Sequence, residues 1–317
     1  MLGECLDCLG AQIGVRTEVL IVDNGSTDGS ASIVHGRLPM ARLISLDRNV
    51  GFAAAASLGL RRGIAPWRAV LNNDCFVDPG WSEAALAAAH VGDRPGMVAT
   101  LQLDHRRERI DAAGIGLDRA GIAWNRLGGC APNAMNGGPV FGPSGGAALY
   151  SAAMLADVGA FDGQFFAYYE DVDLAWRARL RGWGCGFAPE ARSLHVGAAT
   201  VGWNSPRQRH LIARNKVWTI FKCMAAADVP AAMTLDTALG VAFALAAPVR
   251  PASLASRLAS LAGRAAAWRG VHHQLAKRRS IQGSRRADPR DWMAPFPTIG
   301  ALQRRFGYLA DRRSGGR

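Results

Sequence analysis

The first hundred residues alternate between short apolar runs and longer segments with helical periodicity. The apolar runs cover residues 17–23, 41–46 and 67–71, which predicts three strands. Residues 31–35, 52–62 and 79–90 are predicted to be helices. The strand starts recur about every 25 residues, the length of a βα unit. We therefore expect an α/β fold with a mostly parallel central sheet flanked by helices.

Polar residues follow each of these predicted strands. Asp23 ends the first strand and Asp74 follows the third. Between them, Arg48 and Asn49 follow the second strand. In open α/β sheets the carboxyl ends of the strands form the edge where ligands bind, so we expect these groups to converge there. Each of them could instead be an ordinary turn or capping residue.

The usual phosphate-binding loops are missing from this edge. No G-x-G-x-x-G follows a strand, and there is no G-x-x-x-x-G-K-[ST]. A diphosphate bound here would need a metal ion to supply much of the positive charge. Asp74 is a suitable oxygen ligand for Mg²⁺ or Mn²⁺.

The middle of the chain is less regular. Residues 97–103 are predicted to form a strand, and residues 142–150 are a glycine-rich entry into another. Residues 128–138 are rich in Gly, Asn and Pro, which is typical of an active-site lid but also of a disordered loop.

Three acidic residues open a predicted helix that ends near Gly182. They are Glu170, Asp171 and Asp173, and an aromatic run comes directly before them. Acids in the first turn suit the helix dipole, which is one explanation. The other is catalysis, because a carboxylate held against aromatic rings is poised to take a proton.

His195 follows a predicted strand over residues 184–194. A single histidine at such a position can be structural. Placed beside Asp74, it could instead contribute an imidazole nitrogen to a metal site.

The composition is that of a globular protein with an uneven charge. The chain has 317 residues, of which 49% are hydrophobic. The last 68 residues hold 15 Lys/Arg and 3 Asp/Glu, which accounts for the whole net charge of +12. This distribution fits a neutral enzyme with a basic tail and not a nucleic-acid-binding domain. The six scattered cysteines indicate a reducing compartment, and the N-terminus does not resemble a signal peptide.

The tail combines apolar and basic segments. Residues 231–249 are apolar but too short to span a bilayer, and Asp236 interrupts them. Residues 254–268 have amphipathic spacing, with Arg257 and Arg264 beside leucines. This pattern favours docking on an anionic membrane surface. A helix packed on the enzyme body would give a similar pattern.

Four ordered motifs closely resemble those of the family 2 inverting glycosyltransferases, in particular the rhamnosyltransferase-like branch. They are residues 22–28, 48–52, 71–74 and 161–174, and the resemblance extends over residues 2–222. It implies a GT-A domain at 1–222, a basic amphipathic helical tail at 223–317, a nucleotide-sugar donor and Mg²⁺ or Mn²⁺. Members usually begin with a strand that has no counterpart here, so we expect the first strand to be missing.

The resemblance also assigns roles to residues. Asp171 matches the general base, with Glu170 beside it, and Asp74 matches the metal ligand of the D-x-D motif. His195 matches a position that ligates the metal in some members. The expected donor-binding residues are Asp23, Asn24, Ser26, Arg48, Asn49, Asn72 and Asn73. Residues that would meet the acceptor or the diphosphate are Trp176, Arg214 and Asn215.

The implied activity is transfer of a sugar, with dTDP-rhamnose favoured as the donor and UDP- or GDP-linked sugars left open. The acceptor would be a hydroxyl of a cell-surface glycan or a lipid-linked molecule. We expect a cytoplasmic protein, peripheral on the inner face of the cell membrane, that binds no nucleic acid. The alternatives are a non-catalytic nucleotide-sugar- or glycan-binding protein derived from this fold, and a nucleotidyltransferase.

Overall fold

The structure is a computed structural model that describes residues 1–90, 93–134, 139–196, 204–245 and 253–306. Parts of the predicted lid, of the apolar run in the tail and of the basic C-terminus lie outside these ranges. The N-terminal elements are α1 (Leu2–Gly10), β1 (Leu20–Asp23), α2 (Ser30–Arg37), β2 (Arg42–Ser45), α3 (Phe52–Arg62), β3 (Trp67–Leu71), β4 (Cys75–Val77) and α4 (Trp81–Ala88).

The later elements supply the rest of the sheet and a layer of helices. They are β5 (Pro95–Asp104), β6 (Ile110–Ala112), β7 (Ile115–Leu117), β8 (Ala123–Asn125), β9 (Ala147–Ser151), α5 (Ala152–Val158), α6 (Glu170–Leu180), β10 (Gly184–His195), α7 (Pro206–Cys223), α8 (Val229–Leu245), α9 (Leu254–Gly283) and α10 (Ile299–Phe306). Short 3₁₀ helices cover Gly163–Phe165 and Pro289–Trp292.

The main sheet has the order β3-β9-β5-β10-β4, with β6 paired to the end of β5. Its centre is β5, whose residues are buried almost throughout because β9 and β10 flank the strand and α4 packs against it. The prediction of a mostly parallel sheet is corrected here. β9 runs antiparallel between β3 and β5, and β4 runs antiparallel to β10, which leaves β5–β10 as the parallel pair in this sheet.

β1 and β2 form a separate, parallel two-stranded sheet. Within the described ranges β1 is paired on one side only. Helices hold this small sheet against the main one. Leu6 of α1 packs with Val34 and Leu38, with Ile21 of β1 against them. Gly59 of α3 lies under Val22, which keeps that helix close to β1.

The segment after residue 222 folds back onto the enzyme body. α9 runs along α7, and the contact is close because glycines face it. A Cβ at Gly263 would lie 2.2 Å from the carbonyl oxygen of His210, and one at Gly270 would lie 2.6 Å from the ring of Trp218. The Trp218 indole donates to the carbonyl of Ala267 at 2.9 Å. The boundary predicted at 222 thus falls at the end of α7, inside one packed helical layer.

α8 and α9 bury an ionic centre. Asp236, the carboxylate that interrupts the apolar segment, is 2% exposed and pairs with Lys216 and Arg264. Burial would raise the pKa of Asp236, but these two cations outweigh burial and lower it. Arg264 therefore faces inward, whereas the sequence pattern had suggested a solvent-facing arginine. Several large apolar residues of α9, namely Leu254, Leu258, Trp268 and Leu275, lie on the outer face instead.

A second buried ionic cluster joins the helical layer to the acidic helix. Lys222 of α7 lies 2.8 Å from Asp162 and 2.8 Å from Asp173, and Lys277 of α9 lies 2.6 Å from Asp162. Burial opposes ionisation of Asp162, but the two lysines hold its pKa well below the usual range. This contribution to stability is present above the ordinary carboxyl pKa and is lost as the pH falls below it.

We expect Lys222→Met to lower the free energy of unfolding by about 3 kcal/mol, because it removes the buried cation that two carboxylates share and leaves Asp162 with Lys277 alone and Asp173 with Arg177 alone. Urea unfolding measures this. The control is Arg192→Met, which removes an exposed pair with Glu190 and should cost about 1 kcal/mol or less. Equal losses in the two variants would contradict a structural role for Lys222.

Candidate active site

The loops that follow β1 and β2 are joined by their asparagines. The Asn24 amide donates to Asn49 Oδ1 at 3.2 Å, and Asn24 Oδ1 accepts from the backbone N–H of Val50 at 2.9 Å. Gly25 makes the approach possible, since its φ is +77° and a Cβ there would lie 2.6 Å from the Arg48 carbonyl carbon. The two loops therefore form one surface, as the sequence predicted.

Three more of the predicted donor-binding residues, Asp23, Ser26 and Arg48, lie in or next to these two loops. Asp23 is half-buried and accepts from the backbone N–H of Ser26 at 3.0 Å, which shapes the first loop. Arg48 is exposed at the surface of the second loop. The second loop also reaches the acidic helix, because the Ala53 N–H donates to the carbonyl of Phe166 at 3.0 Å.

The turn after β3 places Asp74 at the edge of the sheet. The Asn72 N–H donates to the Gly146 carbonyl at 2.9 Å, and the Asn72 carbonyl accepts from Cys75 N–H at 3.0 Å. Asp74 is 8% exposed and Asn73 is exposed. In the part of the chain that the structure describes, the buried Asn72 Oδ1 has no hydrogen-bond partner. An unpaired buried oxygen at this position suits a ligand or a cation.

Asp74, Cys75 and His195 form a cluster whose ligand atoms all lie within 4.8 Å of one another. The antiparallel register of β10 and β4 pairs His195 with Cys75 and so brings the histidine beside the turn. His195 Nε2 is 3.7 Å from Asp74 Oδ1. Burial, followed by the charges of Asp74 and Asp111, raises the pKa of the Cys75 thiol well above its usual range. The better ligands are thus the carboxylate and the imidazole.

A fourth residue that sequence reasoning missed belongs to this cluster. Asp111 of β6 is 2% exposed, and its Oδ2 is 2.5 Å from His195 Nδ1. The sequence held one signal for this residue, a single carboxylate between the apolar residues Ile110 and Ala112. A carboxylate buried in such a strand needs a polar partner, which could have pointed to a histidine.

Asp171 is oriented at the start of α6 by two backbone donors. Its Oδ2 accepts from Gly145 N–H at 2.9 Å, and its Oδ1 accepts from Val172 N–H at 2.8 Å. Burial raises the pKa of Asp171, although both hydrogen bonds favour its ionised form. The carboxylate is thereby held in one direction with its basicity increased.

Glu170 differs from its neighbour. It is 5% exposed, and no hydrogen bond to Oε2 is found among the described residues. Burial, and then the negative charge of Asp171, raise the pKa of Glu170 well above the usual range. Asp171 is therefore the member of the pair that ionises first. The third acid, Asp173, is fully buried and pairs with Arg177 and Lys222, which makes it structural.

The backbone before α6 is strained. The φ values of Phe166, Tyr168 and Tyr169 are +65°, +70° and +69°. Residues other than glycine rarely adopt positive φ values. The Asn215 amide on α7 stabilises this segment by donating to the carbonyls of Phe165, Ala167 and Tyr168 at 3.0, 2.8 and 2.7 Å.

This geometry changes the interpretation of three predicted acceptor or diphosphate contacts. Asn215 is 0% exposed and is occupied by the strained segment. Arg214 donates to the Phe165 carbonyl at 2.9 Å and stacks on Trp218. Trp176 is 1% exposed and packs edge-on against Phe141 in the core. In this structure Arg214 and Asn215 brace the acidic helix, and Trp176 does not face the site.

One pair of glycines, Gly145 and Gly146, contacts both the acidic helix and the turn that carries Asp74. Gly145 donates to Asp171, and the next residue, Gly146, accepts from Asn72 beside Asp74. A Cβ at Gly146 would lie 2.7 Å from Gln102 Oε1, so a side chain there would require the Gln102 amide to move. Burial raises the pKa of Tyr168, and the charges of both Glu170 and Asp74 add to this effect. The cluster and the start of α6 thus both lie near Tyr168 and the Gly145–Gly146 segment.

Comparisons with known proteins identify the family of the chain. The sequence model of Glycosyl transferase family 2 matches residues 1–159. The N-acetylglucosaminyl-diphospho-decaprenol L-rhamnosyltransferase of Mycobacterium tuberculosis (strains CDC 1551 / Oshkosh and ATCC 25618 / H37Rv) is 31% identical over 247 residues, which are 69% of this chain and 80% of that protein. The succinoglycan biosynthesis protein ExoO of Rhizobium meliloti (strain 1021) is 41% identical over 70 residues, 22% of this chain and 20% of that protein.

A solved structure supports the same fold. GalNAc-T7, in complex with UDP, GalNAc and Mn²⁺, aligns with a TM-score of 0.50 at 14% identity, over 65% of this chain and 41% of that chain. The fold is therefore that of the GT-A glycosyltransferases. The chain belongs to Glycosyl transferase family 2 and is rhamnosyltransferase-like, so it is a sugar-transferring enzyme, as the motifs predicted.

We expect Asn215→Leu to reduce the transfer rate by about tenfold or more, because the carbonyls of Ala167 and Tyr168 lose their side-chain donor and the start of α6 shifts. Hydrogen exchange over residues 163–172 should rise at the same time. The matched control is Thr219→Val, one turn further on α7, whose buried hydroxyl donates within the helix to Asn215 O. Unchanged exchange and activity in Asn215→Leu would contradict the bracing role.

Proposed function

We propose that this protein is a metal-dependent inverting glycosyltransferase that moves a sugar from a nucleotide-sugar donor to a hydroxyl of a lipid-linked or glycan acceptor. The observation that carries the proposal is that Gly145 donates to Asp171 while the neighbouring Gly146 accepts from Asn72, in the turn that carries Asp74 beside His195. This arrangement leaves one region in which an acceptor hydroxyl and a donor diphosphate could meet.

Asp171 is the proposed general base. Its Oδ2 takes the proton of the acceptor hydroxyl while that oxygen attacks the anomeric carbon from the face opposite the diphosphate, which inverts the configuration. The Gly145 N–H fixes the direction of the carboxylate. A raised pKa makes Asp171 a stronger base than an exposed aspartate, and Glu170, which ionises later, leaves it as the acting carboxylate.

Asp74 and His195 are the residues that would hold the metal ion. They offer one carboxylate oxygen and one imidazole nitrogen, a ligand set that fits Mn²⁺. Mg²⁺ fits less well, because it prefers oxygen ligands to nitrogen. A bound divalent cation neutralises the charge that develops on the leaving diphosphate. Asn72 occupies the place of a second carboxylate and brings no charge, so the donor diphosphate would complete the coordination. The unpaired Asn72 Oδ1 supports a polar ligand at this position.

The proposed donor site is the joined surface of the two loops after β1 and β2. Asp23 would contact the base, and Arg48 offers an exposed cation for the diphosphate. Since a relative named as an L-rhamnosyltransferase covers most of the chain, dTDP-rhamnose is the donor we favour. The same name, which specifies an N-acetylglucosaminyl-diphospho-decaprenol, supports a lipid-linked acceptor.

We expect Asp171→Asn to lower the rate of rhamnose transfer from dTDP-rhamnose by about 10²–10⁴-fold while leaving donor binding nearly unchanged, because the amide cannot take a proton. Transfer is followed with radiolabelled donor and a polyprenyl-diphospho-N-acetylglucosamine acceptor, and binding by calorimetry. The control is Glu190→Gln, an exposed carboxylate that pairs with Arg192.

Full activity of Asp171→Asn would reject the assignment of the base. The configuration of the product, read by NMR, tests inversion separately. A well-folded wild-type chain that binds dTDP-rhamnose but transfers nothing in the presence of Mn²⁺ would favour the non-catalytic alternative.

We also propose that the outer face of α9 docks on an anionic bilayer. Among the described residues, no helix is long and apolar enough to cross a membrane. The outer face of α9 nevertheless exposes Leu254, Leu258 and Trp268 by 61%, 54% and 56%. Arg269 and Arg279 are exposed on the same helix. Apolar side chains combined with cations fit the interface of a membrane with anionic lipids, where a lipid-linked acceptor would be found.

We expect the triple variant Leu254→Ser, Leu258→Ser, Trp268→Ser to bind phosphatidylglycerol vesicles about tenfold more weakly or worse, since it removes the apolar anchors. Co-sedimentation measures this, with phosphatidylcholine vesicles as the uncharged comparison. The control is Met40→Ser with Ile64→Ser, two exposed apolar residues in the N-terminal region. Equal binding by both variants and the wild type would contradict docking through α9.

A further inference from the structure

Asp111 is fixed in place by the strand that carries it. β6 is hydrogen-bonded to the end of β5, with Leu103 opposite Ile110 and Gln102 opposite Ala112. On its other side, the Ile110 N–H donates to the Cys130 carbonyl at 2.8 Å, and Gly129 N–H donates to the Ile110 carbonyl at 2.8 Å. The backbone at residue 111 is therefore held from both sides.

The side chain of Asp111 is directed at one ring nitrogen of His195. Its Oδ2 is 2.5 Å from Nδ1, and the side chains are 3% and 17% exposed. An ionised carboxylate only accepts hydrogen bonds, so Nδ1 carries the proton and donates it. The other nitrogen, Nε2, then faces Asp74 Oδ1 at 3.7 Å. The three groups lie in the order Asp111, His195, Asp74.

We propose that Asp111 is a positioning residue that sets the ring orientation of His195 and keeps its Nε2 directed at the metal. The inference rests on the proposed function, in which Asp74 and His195 hold a divalent cation. A carboxylate on Nδ1 increases the electron density on Nε2 and removes the rotational freedom of the ring, and both effects strengthen a metal–imidazole bond. Asp111 itself is too far inside the protein, behind the imidazole, to touch substrate.

Asp118 is a suitable control for a merely structural carboxylate. It is 0% exposed, and its Oδ1 accepts from the backbone N–H groups of Ala120 and Ile122 at 3.0 Å each. Asp118→Asn also replaces a buried aspartate of this region, so it reproduces the loss of stability that such a substitution causes without touching His195.

The test measures Mn²⁺ binding to the full chain by electron paramagnetic resonance, without donor or acceptor. Asp111→Asn and Asp111→Ala should each weaken Mn²⁺ binding about 10–100-fold, and Asp118→Asn should not. Wild-type affinity in both Asp111 variants would overturn the inference. If the wild type binds Mn²⁺ no better than Asp74→Asn does, the metal site of the proposed function fails instead.

A second measurement does not depend on a variant folding. In ¹⁵N-labelled wild-type protein, His195 should show a proton bonded directly to Nδ1 and shifted downfield by the short hydrogen bond to Asp111. A His195 Nδ1 without a proton in the wild type would overturn the inference whatever the metal affinities are.

Discussion

The site depends on the close approach of one peptide segment, Gly145–Gly146, to two different parts of the fold. Gly145 N–H holds the Asp171 carboxylate, and the Gly146 carbonyl accepts from Asn72, next to Asp74. A side chain at Gly146 would displace the amide of Gln102. These contacts fix the spacing between the acidic helix and the sheet edge, and the proposed mechanism requires this spacing for Asp171 and Asp74 to act on one substrate.

The buried ionic and polar contacts make this arrangement rigid at a cost in local strain. Three residues before α6 have positive φ, and Asn215 compensates by satisfying the carbonyls of that segment. Lys222 then ties Asp162, before the strained segment, to Asp173, after it. α9 contributes Lys277 to the same cluster. The helical layer after residue 206 is thus part of what positions Asp171, the proposed base, and the outer face of α9 is the face that we propose docks on a bilayer.

Much of this could be predicted from local patterns. The strands and helices of the first hundred residues follow apolar periodicity, and the prediction of a family 2 glycosyltransferase rested on motifs that are contiguous in sequence. Long-range pairing could not be predicted in this way. The antiparallel insertion of β9, the contact of Asp111 with His195 and the bracing by Asn215 join residues 47 to 84 positions apart. The inward direction of Arg264 depends on Asp236, which lies in another helix. A buried carboxylate needs a cation as its partner, and the leucines beside Arg264 along the chain gave no sign of this pair.

The central claim is that Asp74 and Asp171 face one cleft with room for a sugar between them. A crystal structure of the Asp171→Asn protein with Mn²⁺ and dTDP-rhamnose tests it most directly, because the anomalous signal of manganese locates the metal. The account predicts manganese on Asp74 and His195, the diphosphate against it, and residue 171 on the opposite side of the anomeric carbon. Manganese bound elsewhere, or residue 171 facing away from the sugar, would contradict it.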